Sequence, residues 1–121
     1  PAVPMTQVST SGSDALLIQL TRSADASVGF RTNIGVLNVV TYTIDVELHL
    51  YLADGTELGW VSRSLGAYES RQDTDIYRFF TDEDVADGFA VVRTTTDNGL
   101  YLAYASVVDN MTGDPIYIPG M

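Results

Sequence analysis

The sequence predicts an all-β protein, a single antiparallel β-sandwich of seven to eight strands with an extended N-terminal arm. Apolar and polar residues alternate strictly over residues 44–52, which is typical of a strand with one buried face. Short apolar segments of this kind recur at regular spacing between turn signals, and helical periodicity is almost absent. These observations favour a sandwich, and a closed barrel of the same strands is the alternative.

The clearest strand runs into a turn signal at residues 53–55, Ala-Asp-Gly, and two hairpin registers are open. A two-residue turn places Glu57 and Arg63 on the apolar face. A three-residue loop with a bulge at the glycine instead brings Leu58 and Trp60 onto that face. Because a one-residue slip exchanges the two faces of a strand, burial favours the three-residue loop, with Trp60 inside and Arg63 outside.

The remaining elements follow from apolar runs and turn residues. A helical turn is predicted over residues 75–80, and Thr81 with Asp84 three residues later resembles a helix cap. Asp-Asn-Gly at residues 97–99 predicts a hairpin. Besides the hairpin of residues 43–65, strands are predicted at residues 14–20, 28–40, 88–96, 100–109 and 115–118, and residues 65–74 are predicted to form a turn and a short edge segment.

The chain divides into an N-terminal arm, residues 1–13, and a sandwich domain, residues 14–121. Prolines in the arm disfavour a helix, and Ser and Gly at residues 9–13 predict a flexible hinge. The arm is either a linker or a donor strand that pairs with the sheet edge of a neighbouring subunit. If the arm is a donor strand, the apolar residues that would contact the neighbouring subunit are Val3, Met5 and Val8.

The composition disfavours some partners and removes some kinds of chemistry. The net charge is −10, and all six cations are arginines. Binding to nucleic acid is therefore disfavoured, because phosphate contacts need clustered cations. No apolar run is long enough to span a membrane. The absence of cysteine removes thiol chemistry and disulfides.

The chemistry of an enzyme is not found in the sequence. His49 is the single histidine and lies at a polar position of the clearest strand, where a surface role is expected. Serine catalysis needs a base, for which His49 is the only imidazole, and the sequence has no strand-turn-helix nucleophile elbow. Carboxylate pairs are abundant, but a short sandwich without a loop-rich cleft disfavours a glycosidase. We therefore expect a protein that is not an enzyme and holds no cofactor.

One turn near the C-terminus carries the candidate ligand and modification sites. Asp109, Asn110 and Asp114 are the calcium candidates, although Asp and Asn also favour turns by bonding their own backbone. Asn110 begins the sequence Asn-Met-Thr, a signal for N-glycosylation.

Three segments resemble a repeated module of secreted and surface-anchored bacterial proteins. They are FRTNIGVLN at residues 30–38, LYLADGTELG at residues 50–59 and YASVVDNMTGDP at residues 104–115. The modules show FRTNLGLVN, a YDADGT-LG turn and YASVVDN-TGDP in the same order. The chain departs from them at Leu52, where they often carry Asp, and over residues 1–13, which match nothing. The resemblance implies an immunoglobulin-like sandwich, located outside the cytoplasm and without enzymatic activity.

Two functions are compatible with these features. The first is an extracellular or cell-surface structural subunit that self-associates into a filament or array by lending its arm to a neighbour. A chain that begins at Pro1 fits an exported protein that has lost a signal segment, or a fragment. The second is a carbohydrate- or protein-binding or spacer module of a larger secreted protein. Aromatic rings would carry carbohydrate binding, and the candidates are Tyr42, Tyr51, Tyr68, Tyr101 and Tyr117.

Overall fold

The structure, a computed structural model, describes residues 9–10, 14–25, 27–113 and 115–119. Nine strands and one short 3-10 helix, Ile76–Phe79, lie in these residues. The strands are β1 (Ser9–Thr10), β2 (Ala15–Arg22), β3 (Phe30–Asn38), β4 (Ile44–Tyr51), β5 (Glu57–Leu65), β6 (Ser70–Asp73), β7 (Val85–Thr94), β8 (Leu100–Asp109) and β9 (Pro115–Pro119).

The strands form two antiparallel sheets, which confirms the all-β sandwich. One sheet has the order β1-β8-β3-β6, and β9 also pairs with β8. The other has the order β2-β7-β4-β5. We call them the β8 sheet and the β4 sheet. β1, predicted as part of a flexible hinge, pairs with β8 through Ser9 and Thr10.

The hydrophobic core lies between the two sheets. The four alternating aliphatic residues of β4 are fully buried, as the period-two pattern predicts. Tyr101 of β8 crosses the core and donates a hydrogen bond to the carbonyl of Val92, at 2.5 Å. Its hydroxyl is thus satisfied in an apolar setting, as burial requires. The largest fully buried aliphatic side chains are Leu17, Leu20, Ile34, Ile44, Leu48, Leu50, Leu65 and Ile76.

The β4–β5 hairpin has the predicted three-residue loop, but the predicted position of Trp60 is wrong. The Leu52 amide donates to the Thr56 carbonyl at 2.9 Å, which closes the loop. The register then shifts between the pairs Tyr51–Glu57 and Leu50–Gly59. This bulge adds one residue to β5 and reverses the faces beyond it. Trp60 consequently lies outside and is 51% exposed.

The same shift carries Arg63 inward, contrary to the prediction that it faces water. Arg63 pairs with Val46 of β4, whose side chain is fully buried. Its guanidinium donates through Nη2 to Asp73 at 3.0 Å and through Nε to both oxygens at 3.2 Å. Asp73 is 7% exposed and belongs to β6. Since β5 and β6 are edge strands of different sheets, this pair joins the two layers.

The 3-10 helix closes one end of the sandwich, as predicted for a helical turn there. Ile76 and Tyr77 are buried, and the Tyr77 hydroxyl contacts the carbonyls of Tyr51 at 3.0 Å and Phe89 at 3.3 Å. The predicted helix cap at Thr81 is wrong. Its hydroxyl accepts from the amide of Glu83 in a local turn, and the chain then enters β7.

The Asp-Asn-Gly turn at residues 97–99 forms, but it is not a hairpin. The Gly99 amide donates to the Thr96 carbonyl at 3.1 Å, and Asn98 has a φ of 59°. β7 belongs to the β4 sheet and β8 to the other. The turn therefore carries the chain between layers.

The buried phenol of Tyr77 predicts an alkaline sensitivity. Burial raises the pKa of the Tyr77 phenol above its ordinary value. In the unfolded chain the same phenol has a pKa of about 10. The contribution of the neutral Tyr77 phenol to the free energy of unfolding is therefore fully present below about pH 10. It is lost as the pH rises towards the pKa of the phenol in the folded protein. We expect the melting temperature of the wild type to fall more steeply above about pH 10 than that of Tyr77→Phe. Tyr68→Phe, at a 63% exposed position, should follow the wild type. Parallel curves for wild type and Tyr77→Phe would contradict this account.

Among the described residues, the structure contains no helix long and apolar enough to cross a membrane.

Candidate functional site

The outer face of the β4 sheet carries an apolar row that crosses all four strands. Leu16 pairs with Val91, Val91 with His49, and His49 with Trp60. Side chains in register on one face of a sheet lie side by side. Three spacings between neighbouring strands give the row a length of about 14 Å.

A second row lies beside the first. Tyr51 pairs with Phe89, and their rings stack with centroids 4.7 Å apart and an interplanar angle of 7°. Phe89 also lines an open groove of about 510 Å³, with Leu16 and Ile18 of β2 beside it. Gln19, Asp87 and Gly88 complete the groove. We call the two rows the aromatic face: Leu16, Ile18, His49, Tyr51, Trp60, Phe89 and Val91.

The aromatic face exposes large apolar side chains to water. Trp60 is 51% exposed and Leu16 is 36% exposed, at opposite ends of the first row. The residues between them are half-buried because they shield one another. Contiguous apolar surface of this kind marks interaction sites in soluble proteins more often than scattered single residues do.

His49 is fixed on the aromatic face by two carboxylates. Its Nδ1 lies 2.7 Å from Glu57 and its Nε2 lies 2.9 Å from Glu47. The ring also stacks on Trp60, at 5.5 Å between centroids and 16° between planes. A carboxylate accepts and does not donate, so both nitrogens donate together when the ring is protonated. His49 is on the outer face, as predicted, but it holds its neighbours in place instead of standing free.

The tyrosines proposed for carbohydrate binding are scattered over the molecule. Tyr42 and Tyr68 are exposed in loops, and Tyr42 donates to the carbonyl of Asn98 at 2.6 Å. Tyr51 is on the aromatic face. Tyr101 is fully buried, so its proposed role as an exposed ring is wrong. The side chain of Tyr117 lies outside the described residues.

Asp109 and Asn110, the described candidates for calcium binding and glycosylation, form hydrogen bonds with the protein backbone. Asp109 contacts its own turn, and Asn110 contacts a neighbouring loop. Asp109 accepts from the amides of Met111 at 2.8 Å and Thr112 at 3.3 Å. Asn110 donates to the Val28 carbonyl at 3.0 Å. Its side-chain oxygen accepts from Arg31, also at 3.0 Å.

Asp114 lies outside the described residues, as do Val3, Met5 and Val8 of the arm. Within the described part of the chain, no group of three or more potential metal ligands occurs. Calcium binding and glycosylation of Asn110 stay predictions.

The aromatic face was not predicted from the sequence, because the pattern of apolar residues does not indicate the bulge in β5. Without the shift at Gly59, Trp60 belongs to the core. Phe89 lies in a run of apolar and β-branched residues that gives no indication of which face is covered. A glycine two residues after a glutamate in the β5 sequence was the available signal, since glycine inside a strand often marks a bulge.

Comparison with known proteins establishes the fold and no family. No family model matches the chain, and no curated protein matches it. A solved structure, described as the crystal structure of Thermotoga maritima 1070, is similar with a TM-score of 0.63. The similarity covers 88% of this chain and 92% of that one at 6% sequence identity.

Proposed function

We propose that this chain is a non-enzymatic carbohydrate-binding module of an exported or cell-surface protein, and that the aromatic face is its binding surface. The observation that carries the proposal is the half-exposed Trp60 in register with His49 on an open sheet face. One face of the Trp60 indole stacks on His49, and the 51% exposure of the side chain leaves the remaining ring surface available to a ligand.

The chemistry of the aromatic face suits a sugar chain. A pyranose has an apolar face of C–H groups and a rim of hydroxyls, so it stacks on a ring while its hydroxyls seek polar partners. Binding sites for small polar molecules combine apolar walls with a few placed polar groups. Here Trp60 and the Tyr51–Phe89 stack supply the rings, and Glu47 and Glu57 supply acceptors.

The shape of the aromatic face favours a linear polymer over a single sugar. The first row extends about 14 Å across four strands and is open at both ends. The groove beside Leu16 and Phe89 continues the surface at the β2 edge. An extended ligand would therefore contact both exposed ends of the row at once.

Replacing Trp60 with alanine is expected to weaken polysaccharide binding about tenfold or more, equivalent to about 1.4 kcal/mol. The side chain supplies the largest exposed ring of the aromatic face, and truncation removes the stacking surface. Affinity electrophoresis through gels that contain single soluble polysaccharides measures the effect.

The matched control for this experiment is Phe79→Ala. Phe79 is 53% exposed, close to the 51% of Trp60, but it lies on the 3-10 helix at the end of the sandwich. Phe79→Ala should bind as the wild type does, and thermal melting should show both variants folded. Retained binding by Trp60→Ala, or binding of no polysaccharide by the wild type, would overturn the proposal.

A second candidate function is a structural subunit that assembles by strand exchange. The supporting observation is that β1 contributes two register pairs, Ser9–Tyr101 and Thr10–Leu100, at the edge of β8 that it shares with β9. Detaching so short a strand from β8 requires little free energy. The same strand of a neighbouring copy could then form the same two register pairs with β8.

Deleting residues 1–13 tests this second function. If strand exchange joins subunits, negative-stain images of the concentrated wild type should show filaments or arrays that disappear with the deletion. Size-exclusion chromatography should then show a smaller species. Monomers in both samples would count against assembly through the arm and leave the aromatic face as the functional surface.

A further inference from the structure

We infer that the polysaccharide recognised by the aromatic face carries ammonium groups, so that the ligand is an amino-sugar polymer. This inference rests on the proposed function and adds the charge class of the ligand. It follows from where the acidic side chains lie relative to the exposed rings.

Carboxylates flank Trp60 on both sides along the sheet. The row next to it on one side contains Glu47, and the row on the other side contains Glu57. Residues in adjacent rows lie about 7–8 Å apart on the diagonal, within reach of a substituent on a stacked sugar. A ligand seated on Trp60 therefore has a carboxylate within reach on either side along the strand direction.

Each of these carboxylates keeps one oxygen for a ligand. His49 contacts Oε1 of Glu47 and Oε1 of Glu57. Among the described residues, Oε2 of neither glutamate has a hydrogen-bond partner in the protein. Even when protonated, His49 supplies one positive charge against two negative ones, so this group of three stays net negative.

The rest of the outer face of the β4 sheet adds negative charge. Asp87 lines the groove beside Phe89, and Asp45 of β4 lies two residues before Glu47 on the same face. The cation of this face, Arg93, is 3.4 Å from Asp14 and pairs across the strands with Glu47. Arg93 thus has a carboxylate contact and a glutamate as its register neighbour, so a uronate or sulfate on this face would compete with protein carboxylates for it.

Charge complementarity decides among the classes of glycan. An ammonium group on the sugar donates charge-assisted hydrogen bonds to carboxylate oxygens. A single exposed pair contributes little, but a polymer repeats the contact, and the net charge of −10 attracts a polycation over a longer range. A uronate polymer meets repulsion at every step, and a neutral polymer gains only the stacking.

The test compares three soluble β-1,4-linked polymers that differ in charge: partly deacetylated chitosan, neutral hydroxyethylcellulose and oxidised cellulose that carries uronates. Binding is measured in mildly acidic buffer, where the amino groups are protonated, at low and at high salt. We expect chitosan to bind about tenfold or more tightly than the neutral polymer at low salt, with the preference shrinking at high salt. The uronate polymer should bind least.

Two variants and a control separate recognition from general attraction between opposite charges. The double variant Glu47→Gln/Glu57→Gln should reduce the preference for chitosan over the neutral polymer about tenfold. Asp97→Asn removes one charge from an exposed loop off the aromatic face and should keep the preference. Trp60→Ala should weaken binding of both polymers together.

The outcomes distinguish this inference from the proposed function. If the neutral or the uronate polymer binds as tightly as chitosan through Trp60, the charge class is wrong and the carbohydrate site stands. Chitosan binding that ignores Trp60→Ala is adsorption of a polycation and overturns the inference. If no polymer binds, the proposed function itself fails.

Discussion

Replacing Asn38 with alanine is expected to lower the free energy of unfolding by about 3 kcal/mol or more. Asn38 is fully buried at the end of β3. The two N–H groups of its Nδ2 donate to three carbonyls, those of Tyr42 at 2.8 Å, Leu65 at 3.1 Å and Gly66 at 2.9 Å, so one hydrogen is shared between two acceptors. Its oxygen accepts from the Val40 amide at 2.9 Å.

The physical reason is that one side chain satisfies backbone groups from two connections. Alanine leaves three carbonyls and one amide without this partner, and each buried unsatisfied group costs about 1–3 kcal/mol. Asn38→Asp should be worse at neutral pH, since a carboxylate cannot donate and would face three carbonyl oxygens. Denaturant unfolding measures both.

Thr43→Ala is the control for Asn38, because Thr43 is exposed in the same connection. Its unfolding free energy should stay within about 0.5 kcal/mol of the wild type. An Asn38→Ala protein within about 1 kcal/mol of the wild type would show that water replaces the side chain in these contacts.

Replacing Arg63 with alanine is expected to lower the free energy of unfolding by about 3–5 kcal/mol. The change leaves Asp73, which is 7% exposed, without the guanidinium that donates to both its oxygens. The remaining cation, Arg71, is 3.5 Å away and its side chain is 52% exposed. Arg63→Lys keeps the charge but loses the fork geometry, so an intermediate cost is expected.

Arg93→Ala provides the matched control, since Arg93 also forms an ion pair on a strand of the β4 sheet. Its side chain is 43% exposed and that of its partner Asp14 is 45% exposed. Exposed pairs contribute about 0–1 kcal/mol, so this variant should be close to the wild type. Equal costs for Arg63→Ala and Arg93→Ala in chemical denaturation would argue against a structural role of the Arg63–Asp73 pair.

The sandwich was predictable because most of its strands show a characteristic pattern of apolar residues over a short stretch of sequence. Residues 44–51 alternate between buried and outward positions as expected, and residues 100–109 form the predicted strand with apolar residues on both faces. The helical turn at residues 76–79 followed from its apolar spacing. Each of these signals concerns neighbours in the sequence, where propensity and burial agree.

Features that depend on the partner of a strand were not predictable. The turn at residues 97–99 has hairpin chemistry, but the flanking strands find better partners in separate sheets. The acidic segment after Thr81 resembles a helix start, yet Val85 and Ala90 are buried in a strand. In both places, tertiary pairing outweighs the local preference.

The candidate site depends on a single added residue. The bulge between Glu57 and Gly59 moves Trp60 to the outside and Arg63 to the inside in one step. An apolar pattern scores tryptophan as core and arginine as surface, so it reverses both. The ion pair of Arg63 with Asp73 and the exposed ring of Trp60 are therefore two results of the same irregularity.

The irregular edges of the β4 sheet have a consequence for crowding. The register of β2 shifts between Leu17 and Leu20 and again before Arg22, and β5 carries the bulge at Gly59. Straight, regular edges invite other copies to pair edge to edge and grow into amyloid, whereas bulged edges resist it. The register shifts at both edges of the β4 sheet and the mutual repulsion at a net charge of −10 therefore both oppose pairing of this sheet with a second copy.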